Sequence, residues 1–406
     1  MGILDQLKKE ETWETYFIYK TEKQHLSRKE AEALRSFIDE KAWLPVINRL
    51  ENGTGFSVPE LKKIRKSGTE KKRTVFLFPP EENYVLKLMT WLLERQYDSL
   101  FSEDLYSFRV GQSAGKAVRK LIRVPGIRER YVYKADISDY FNSIPVPGLL
   151  PLMEKAFSDE PACLKLLTDI LTDRRALDEG MVREMDKGVM AGSPFSVFLA
   201  NLYLDPLDKE MEKHPVIYAR YSDDIILFAE TEEQRDREAA FIEKTIQEAG
   251  LLLNPGKVVR TGPGEKWSFL GFSYENGAVD ISPVSLKKIK DRIRRRARAI
   301  KRWQIRKGAT DEQAVKGLIR AMNRKFFAAD NENDLTWCRW YFPLITTDTS
   351  LHEIDACLQY WIRAVYSGHH RKKNYELPYE RLKDWGYESL VHAWYLFKKG
   401  KELPSV

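Results

Sequence analysis

The stretch Val216-Ile217-Tyr218-Ala219-Arg220-Tyr221-Ser222-Asp223-Asp224-Ile225-Ile226-Leu227-Phe228 decides the reading of this chain. Two runs of β-branched and aromatic residues flank a short Ser-Asp turn, the pattern of a hairpin with a tight connection. Stability alone does not explain two adjacent acids between apolar strands. Their carboxylates repel unless a cation sits between them, and a divalent metal fits because hard cations take carboxylate oxygens. A third acid, a triphosphate cradle and a nucleic-acid track are what such a hairpin would need elsewhere in the chain.

Upstream, Tyr131-Val132-Tyr133-Lys134-Ala135-Asp136 reads as a buried strand ending on an acid and turning into a helix at Asp139-Tyr140-Phe141. An Asp in that place is costly unless it is paired or metal-bound, so Asp136 reads equally as a cap or a ligand. Phe141 reads as a core aromatic or as a planar wall beneath an incoming sugar. Between the two acidic sites, Lys187-Gly188-Val189-Met190-Ala191-Gly192-Ser193-Pro194 opens a helix running through Leu204. A glycine-rich helix start is either an ordinary cap or an anion platform. Further upstream, the basic turn Arg65-Lys66-Ser67-Gly68-Thr69-Glu70-Lys71-Lys72-Arg73 leads into the apolar run Val75–Phe78. It is a solvated loop, or a hairpin that closes over a triphosphate. In Phe108-Arg109-Val110-Gly111-Gln112-Ser113, Arg109 and Gln112 are candidate phosphate or base contacts. The plainer alternative is a loop and a cap.

The chain of 406 residues carries a net charge of +7, with 43% hydrophobic and 31% charged residues. That is the composition of a folded protein, not of a disordered one. The charge is local: residues 287–307 hold twelve Lys/Arg and one acid. Leu286, Ile289, Ile293, Ala297 and Ile300 recur there at helical spacing. This is an amphipathic helix with one face in a core and the others able to track phosphates. Three cysteines without a CxxC pair argue against a disulfide framework and a zinc site, which favours a cytoplasmic location. No signal peptide or membrane span is expected. Residues 1–60 read as a helical extension, in which Ser27 and Glu30 fit a capping box. His369-His370-Arg371-Lys372-Lys373 reads as a polar loop and not a metal site.

In order and spacing, the basic hairpin, Phe-Arg-x-Gly-x-Ser, strand-Asp136, Gly-x-x-x-Gly-Ser-Pro, Tyr-x-Asp-Asp, Gly-Leu-x-Leu-Asn-x-x-Lys (Gly250–Lys257) and Phe-Leu-Gly-Phe (Phe269–Phe272) resemble the fingers and palm of reverse transcriptases. The likeness is greatest to the bacterial group II-intron-like lineage. It implies an α+β, right-hand polymerase fold with an antiparallel palm sheet, then an α-helical thumb and a C-terminal helical region. The implied divisions are 1–60, 61–275, 276–330 and 331–406. It implies Asp136, Asp223 and Asp224 as catalytic acids holding two Mg²⁺ ions (Mn²⁺ as an alternative), with Ile137 as a further ligand. Lys66, Arg73, Phe141, Lys187, Gly192, Ser193 and Lys257 become substrate contacts, Phe141 as the gate against a ribose 2′-hydroxyl and Lys257 as a candidate general acid. Phe269 and Gly271 match a primer grip. Arg109, Gln112, Arg292, Arg295, Arg296 and Lys301 would contact nucleic acid, the last four from a thumb helix along the duplex.

The chain departs from its relatives in having Asp186-Lys187-Gly188 where Pro-Gln-Gly is usual. It lacks the Cys and His ligands of an HNH-type nuclease and the Asn-Ala-x-x-His and Val-Thr-Gly of retron enzymes. Its Ser-Pro turn differs from the Ser-Gln of diversity-generating enzymes. What remains resembles the stand-alone "unknown group" enzymes, many of them linked to antiphage defence. The expectation is a reverse transcriptase copying a dedicated structured non-coding RNA, with primer, DNA product and deoxynucleoside triphosphates as partners and no membrane. Template-independent or protein-primed synthesis, and a non-catalytic maturase-like RNA-binding role, are the alternatives.

Overall fold

The computed structural model describes residues 2–24, 26–65, 72–328, 336–368 and 377–404. Lys66 and the 369–373 loop lie outside them. The chain forms two compact units, Met1–Gly264 and Glu265–Val406.

The first unit opens with α1 (Ile3–Leu7), α2 (Glu10–Glu22), α3 (Arg28–Asp39) and α4 (Leu44–Glu51). The capping box at the start of α3 is formed: the Ser27 hydroxyl accepts from the Glu30 N–H, and the Glu30 carboxylate accepts from the Ser27 N–H. Next come β1 (Glu60–Arg65), β2 (Lys72–Leu77), α5 (Pro80–Gln96), α6 (Ala114–Ile122), β3 (Tyr131–Asp136) and α7 (Tyr140–Ser143). After them come α8 (Val146–Ala156), α9 (Pro161–Thr172), β4 (Arg175–Asp178), β5 (Met181–Glu184) and α10 (Ser196–Met211). The unit ends with β6 (Ile217–Tyr221), β7 (Asp224–Ala229), α11 (Glu232–Glu248) and β8 (Val259–Thr261).

Two four-stranded sheets result. One has the order β2-β1-β4-β5; the other, antiparallel throughout, has the order β6-β7-β3-β8. In the second sheet β3 and β7 are central and supply apolar side chains to both faces: Val132, Tyr133 and Ala135, and Ile225 to Ala229, are all buried. That is why their sequences read as continuous hydrophobic runs and not as alternating ones. The core is contiguous across this unit, joining the N-terminal helices to α5, α8, α9 and α10.

The second unit holds a three-stranded sheet, β9 (Trp267–Phe269), β10 (Phe272–Glu275) and β11 (Ala278–Ile281). Helices α12 (Pro283–Lys307), α13 (Asp311–Phe326), α14 (Trp337–Tyr341), α15 (Thr349–Ser367), α16 (Tyr379–Asp384) and α17 (Leu390–Lys398) follow. The basic segment is one 25-residue helix. Pro283 starts it, the Ser282 hydroxyl caps it, and left-handed Gly308 ends it. It buries Ile289, Ile293 and Ala297, the predicted apolar stripe. No helix among the described residues is long and apolar enough to cross a membrane.

Candidate active site

The hairpin forms where the sequence places it. Tyr221 and Asp224 are its last paired residues, leaving Ser222-Asp223 as a two-residue loop. Ser222 has φ +59°, the left-handed value that two-residue hairpin loops demand and that a non-glycine residue adopts reluctantly. Asp136 ends β3 directly across from Asp224, and the Ile137 N–H donates to the Asp223 carbonyl at 3.0 Å. The sheet register alone therefore gathers the three acids.

Electrostatics agree with that crowding. Burial, reinforced by the Asp136 and Asp224 carboxylates, pushes the Asp223 carboxyl from 3.8 up to about 6. Burial also raises Asp224, against the pull of Lys134, whose Nζ lies 3.6 Å from it. The Lys257 Nζ donates to Asp136 Oδ2 at 2.6 Å. Among the described residues no three His, Cys, Asp or Glu side chains form a ready cation site; the positive charge that Asp136 meets is an ammonium. The donor set is nonetheless oxygen-rich and anionic, which suits a hard divalent ion.

The Gly250–Lys257 motif builds the Lys257 contact. Leu253 bridges to Ile137, the Asn254 N–H donates to the Asp136 carbonyl at 2.7 Å, and the Asn254 side chain caps a short turn, Pro255–Lys257. One motif thus engages both the main chain and the side chain of Asp136. A cleft of about 200 Å³ is lined by Arg73, Asp136, Ile137, Phe141, Ala191, Asp223 and Lys257, among others. The expected triphosphate contact, sugar gate, lysine and two of the three acids share it.

Other expected residues go elsewhere. Lys187 is buried, donates to the Arg175 carbonyl at 3.0 Å and lines a separate cavity of about 350 Å³ with Phe56, Asp173 and Arg175. Burial pulls its amine down to about 8. Ser193 is buried and donates to the Met190 carbonyl at 2.8 Å, so its hydroxyl shapes the turn and does not face the cleft. Gly192 has φ +99°, and a Cβ there would lie 3.0 Å from the Val75 Cβ; it serves close packing. The Arg109 side chain is 7% exposed and pairs with both Asp98 carboxylate oxygens, which fixes its own loop. Gln112 is half-buried in the turn that follows.

In the second unit Phe269 is 1% exposed. Phe269-Leu270-Gly271-Phe272 is a two-residue hairpin with φ +48° at Leu270 and +92° at Gly271, and the Phe269 side chain is core. Arg292, Arg295 and Arg296 are exposed on α12. The Lys301 Nζ donates to the Val365 carbonyl at 3.1 Å near the end of α15.

The sequence reading missed what holds the hairpin. Arg220 and Asp208 are both fully buried and pair through two guanidinium nitrogens. Arg220 Nη1 also donates to the Ser222 carbonyl at 3.1 Å, and the Tyr218 hydroxyl donates to Asp208 at 2.9 Å. On the other side of the turn, the Ser222 N–H donates to the Ser107 hydroxyl at 2.9 Å, and that hydroxyl donates to Asn201 Oδ1 at 3.0 Å. Both backbone groups of the strained residue are therefore held. A lone arginine inside the apolar run Ile217–Tyr221 was the available signal. Lys134 likewise was marked by its spacing, two residues before Asp136 on a strand.

Acids at the ends of central antiparallel strands, facing a cleft with a basic side chain and an aromatic wall, are the arrangement of a nucleic-acid polymerase palm. The family model for reverse transcriptase (RNA-dependent DNA polymerase) matches residues 64–274, more than half of the chain, and the chain belongs to that family: it is an RNA-directed DNA polymerase. It is 24% identical to the Retron Ec86 reverse transcriptase of Escherichia coli over 285 residues, covering 65% of this chain and 83% of that one. The retron motifs set aside above are missing here, yet this retron enzyme matches over most of its length. Among solved structures, apo telomerase from Candida tropicalis, truncated from its C-terminal domain, gives a TM-score of 0.46 at 13% identity, covering 58% of each chain. Telomerase from Candida albicans with a fragment of telomeric RNA gives 0.45 at 11% identity, covering 86% of this chain and 67% of that one. The chain thus spans less than two thirds of the first of these telomerases.

Proposed function

We propose that the chain copies a dedicated structured non-coding RNA into DNA at the cleft of Asp136, Asp223 and Asp224, in the bacterial cytoplasm and in the service of antiphage defence. The observation that carries the polymerase site is the convergence of Asp136, Asp223, Arg73, Phe141 and Lys257 on one cleft, with Asp224 paired directly across from Asp136 in the sheet. The exposed arginines of α12 supply a surface for the phosphates of template, primer and product. In this reading residues 1–60 are an N-terminal extension, 61–275 the fingers and palm, 276–330 the thumb and 331–406 a C-terminal helical region.

Asp136, Asp223 and Asp224 would hold divalent ions, Mg²⁺ by preference, with the Ile137 main chain beside them. When bound, such ions activate the attacking 3′-hydroxyl and stabilise the leaving pyrophosphate. Arg73 grips the triphosphate by charge-assisted hydrogen bonds. Phe141, in the wall of the same cleft, would be the gate that excludes a ribose 2′-hydroxyl. Lys257, poised at Asp136, holds a proton where the pyrophosphate departs.

Replacing Asp223 and Asp224 together by Ala should abolish cDNA synthesis, and undiminished incorporation would defeat the reading. Sequencing the nucleic acid that copurifies with the chain tests the template. A single structured RNA and its complementary DNA are expected; DNA without a template complement would favour untemplated or protein-primed synthesis.

A further inference from the structure

Phe141 and Arg73 line one cleft from different segments, so the width of the cleft between them depends on what joins those segments. Phe141 sits on α7, Arg73 on β2, and the third wall of the cleft is Ala191, in the loop before α10. One side chain joins all three. The Asn142 Nδ2 donates to the Thr74 carbonyl at 3.3 Å, next to Arg73. Its Oδ1 accepts from the Ala191 N–H at 3.0 Å. A carbonyl on one side and an N–H on the other fix which end of the amide faces which partner. Asp supplies no donor and Ala supplies neither group.

The surroundings leave this bridge little slack. The Ala191 carbonyl accepts from the Phe76 N–H at 2.8 Å, and the Phe141 carbonyl accepts from the Val189 N–H at 2.8 Å. At Gly188, whose φ is +53°, a Cβ would lie 2.4 Å from the Phe141 carbonyl oxygen and 2.6 Å from the Asn142 carbonyl carbon. The loop is therefore pressed against the backbone that carries the aromatic ring, and β2 is hydrogen-bonded to the same loop.

We infer that Asn142 is a positioning residue that sets the gap between Arg73 and Phe141, and thereby the selection of deoxy- over ribonucleoside triphosphates. This rests on the reading of Phe141 as the gate and of the three acids as the reactive centre. Asn142→Asp keeps the acceptor for Ala191 and turns a carboxylate toward the Thr74 carbonyl, so it severs the link to β2, together with the longer 3.4 Å bond from Nδ2 to Asp139 Oδ1 at the start of α7. In single-nucleotide primer extension, the expected result is a rise in the KM for a deoxynucleotide and a fall in the deoxy-to-ribo preference, each by roughly five- to tenfold. The kcat at saturating deoxynucleotide should stay within about threefold.

A merely structural role would lower the active fraction, and with it kcat for both sugars, leaving KM and preference unchanged. That outcome overturns the inference. Should Asn142→Asp not fold, Asn142→Ala, which points no charge at Thr74, is read in the same assay with the same two outcomes. Wild-type chain, Phe141→Ala and Asp223→Asn are run beside it. Extension surviving in Asp223→Asn, or unchanged sugar preference in Phe141→Ala, overturns the reading of the site itself. A normal Asn142 variant beside a relaxed Phe141→Ala overturns the Asn142 inference alone.

Discussion

Arg220→Met should destabilise the first unit by about 3–5 kcal/mol, the usual cost of stranding one partner of a buried ion pair. Arg220 and Asp208 are each 0% exposed, so solvent cannot rescue the remaining carboxylate. Only the Tyr218 hydroxyl would still reach it. The Ser222 and Asn201 carbonyls lose a charged donor as well. In a unit of this size that loss lowers the melting temperature by roughly 10 °C. The informative variant is the double one. Arg220→Met with Asp208→Leu removes both charges together, and apolar replacements of buried pairs are commonly near neutral in stability. It should recover most of the lost stability but not cDNA synthesis, because the Ser222 carbonyl still lacks the donor that holds the turn beside Asp223. Calorimetry following the first unit's transition, paired with primer extension, reads both. A single-mutant loss below about 1 kcal/mol would show the pair to be energetically idle. Extension restored in the double variant to near wild type would refute a positioning role for Arg220.

With divalent ions chelated, Asp223→Asn should be more stable than wild type above about pH 6 and lose that advantage below about pH 4. The carboxyl is raised from 3.8 to about 6 in the folded chain, so the folded state holds a proton there that the unfolded state has released. Stability then falls as pH rises through that window, by at most roughly 3 kcal/mol. Melts with a pH-independent difference would contradict this, and added Mg²⁺ should stabilise wild type more than the variant. Lys187→Met should stabilise at neutral pH by roughly 1–2 kcal/mol, since burial pulls the amine from 10.5 down to about 8 while one hydrogen bond is lost. Here the unfolded state binds the extra proton, so wild-type stability rises with pH from about 8 to 10.5 and the gain disappears above that range. A destabilised Lys187→Met at pH 7 would show the Arg175 bond to outweigh desolvation. Arg292, Arg295 and Arg296 changed together to Gln should weaken duplex binding and flatten its salt dependence by about two to three units of log–log slope; an unchanged slope would remove α12 from the interface.

The parts of the fold legible in sequence were those fixed by short-range pattern. The apolar runs of β3, β6 and β7, the two-residue turn between Tyr221 and Asp224, and the stripe on α12 all follow from strand or helix period and from turn chemistry. Asp136 was recognisable because an acid ending a buried strand needs a partner. Its partner in the structure, Lys257, comes from a motif whose order along the chain was readable and whose contact was not. The contacts that the sequence did not show share a cause. Arg109, Lys187, Ser193 and Lys301 were assigned outward roles because their residue types suit phosphates or sugars. Each instead satisfies buried or half-buried backbone or carboxylate groups nearby. Sequence shows that a side chain can donate a hydrogen bond, but the acceptor it meets depends on tertiary contacts that no local pattern encodes.

That difference bears on how this chain handles its substrate. Where relatives have a glutamine before the glycine, Lys187 turns its amine away to the Arg175 carbonyl, in a cavity separate from the acids. The same segment still approaches the cleft, but through backbone: Val189 bonds the Phe141 carbonyl, Ala191 bonds Asn142, and Gly188 allows the contact. What this segment presents to the cleft is main chain, not the side chain at position 187. The lysine is tolerated there because the work of the loop at the cleft is geometric, and the geometry is held by the glycines and by the amide of Asn142.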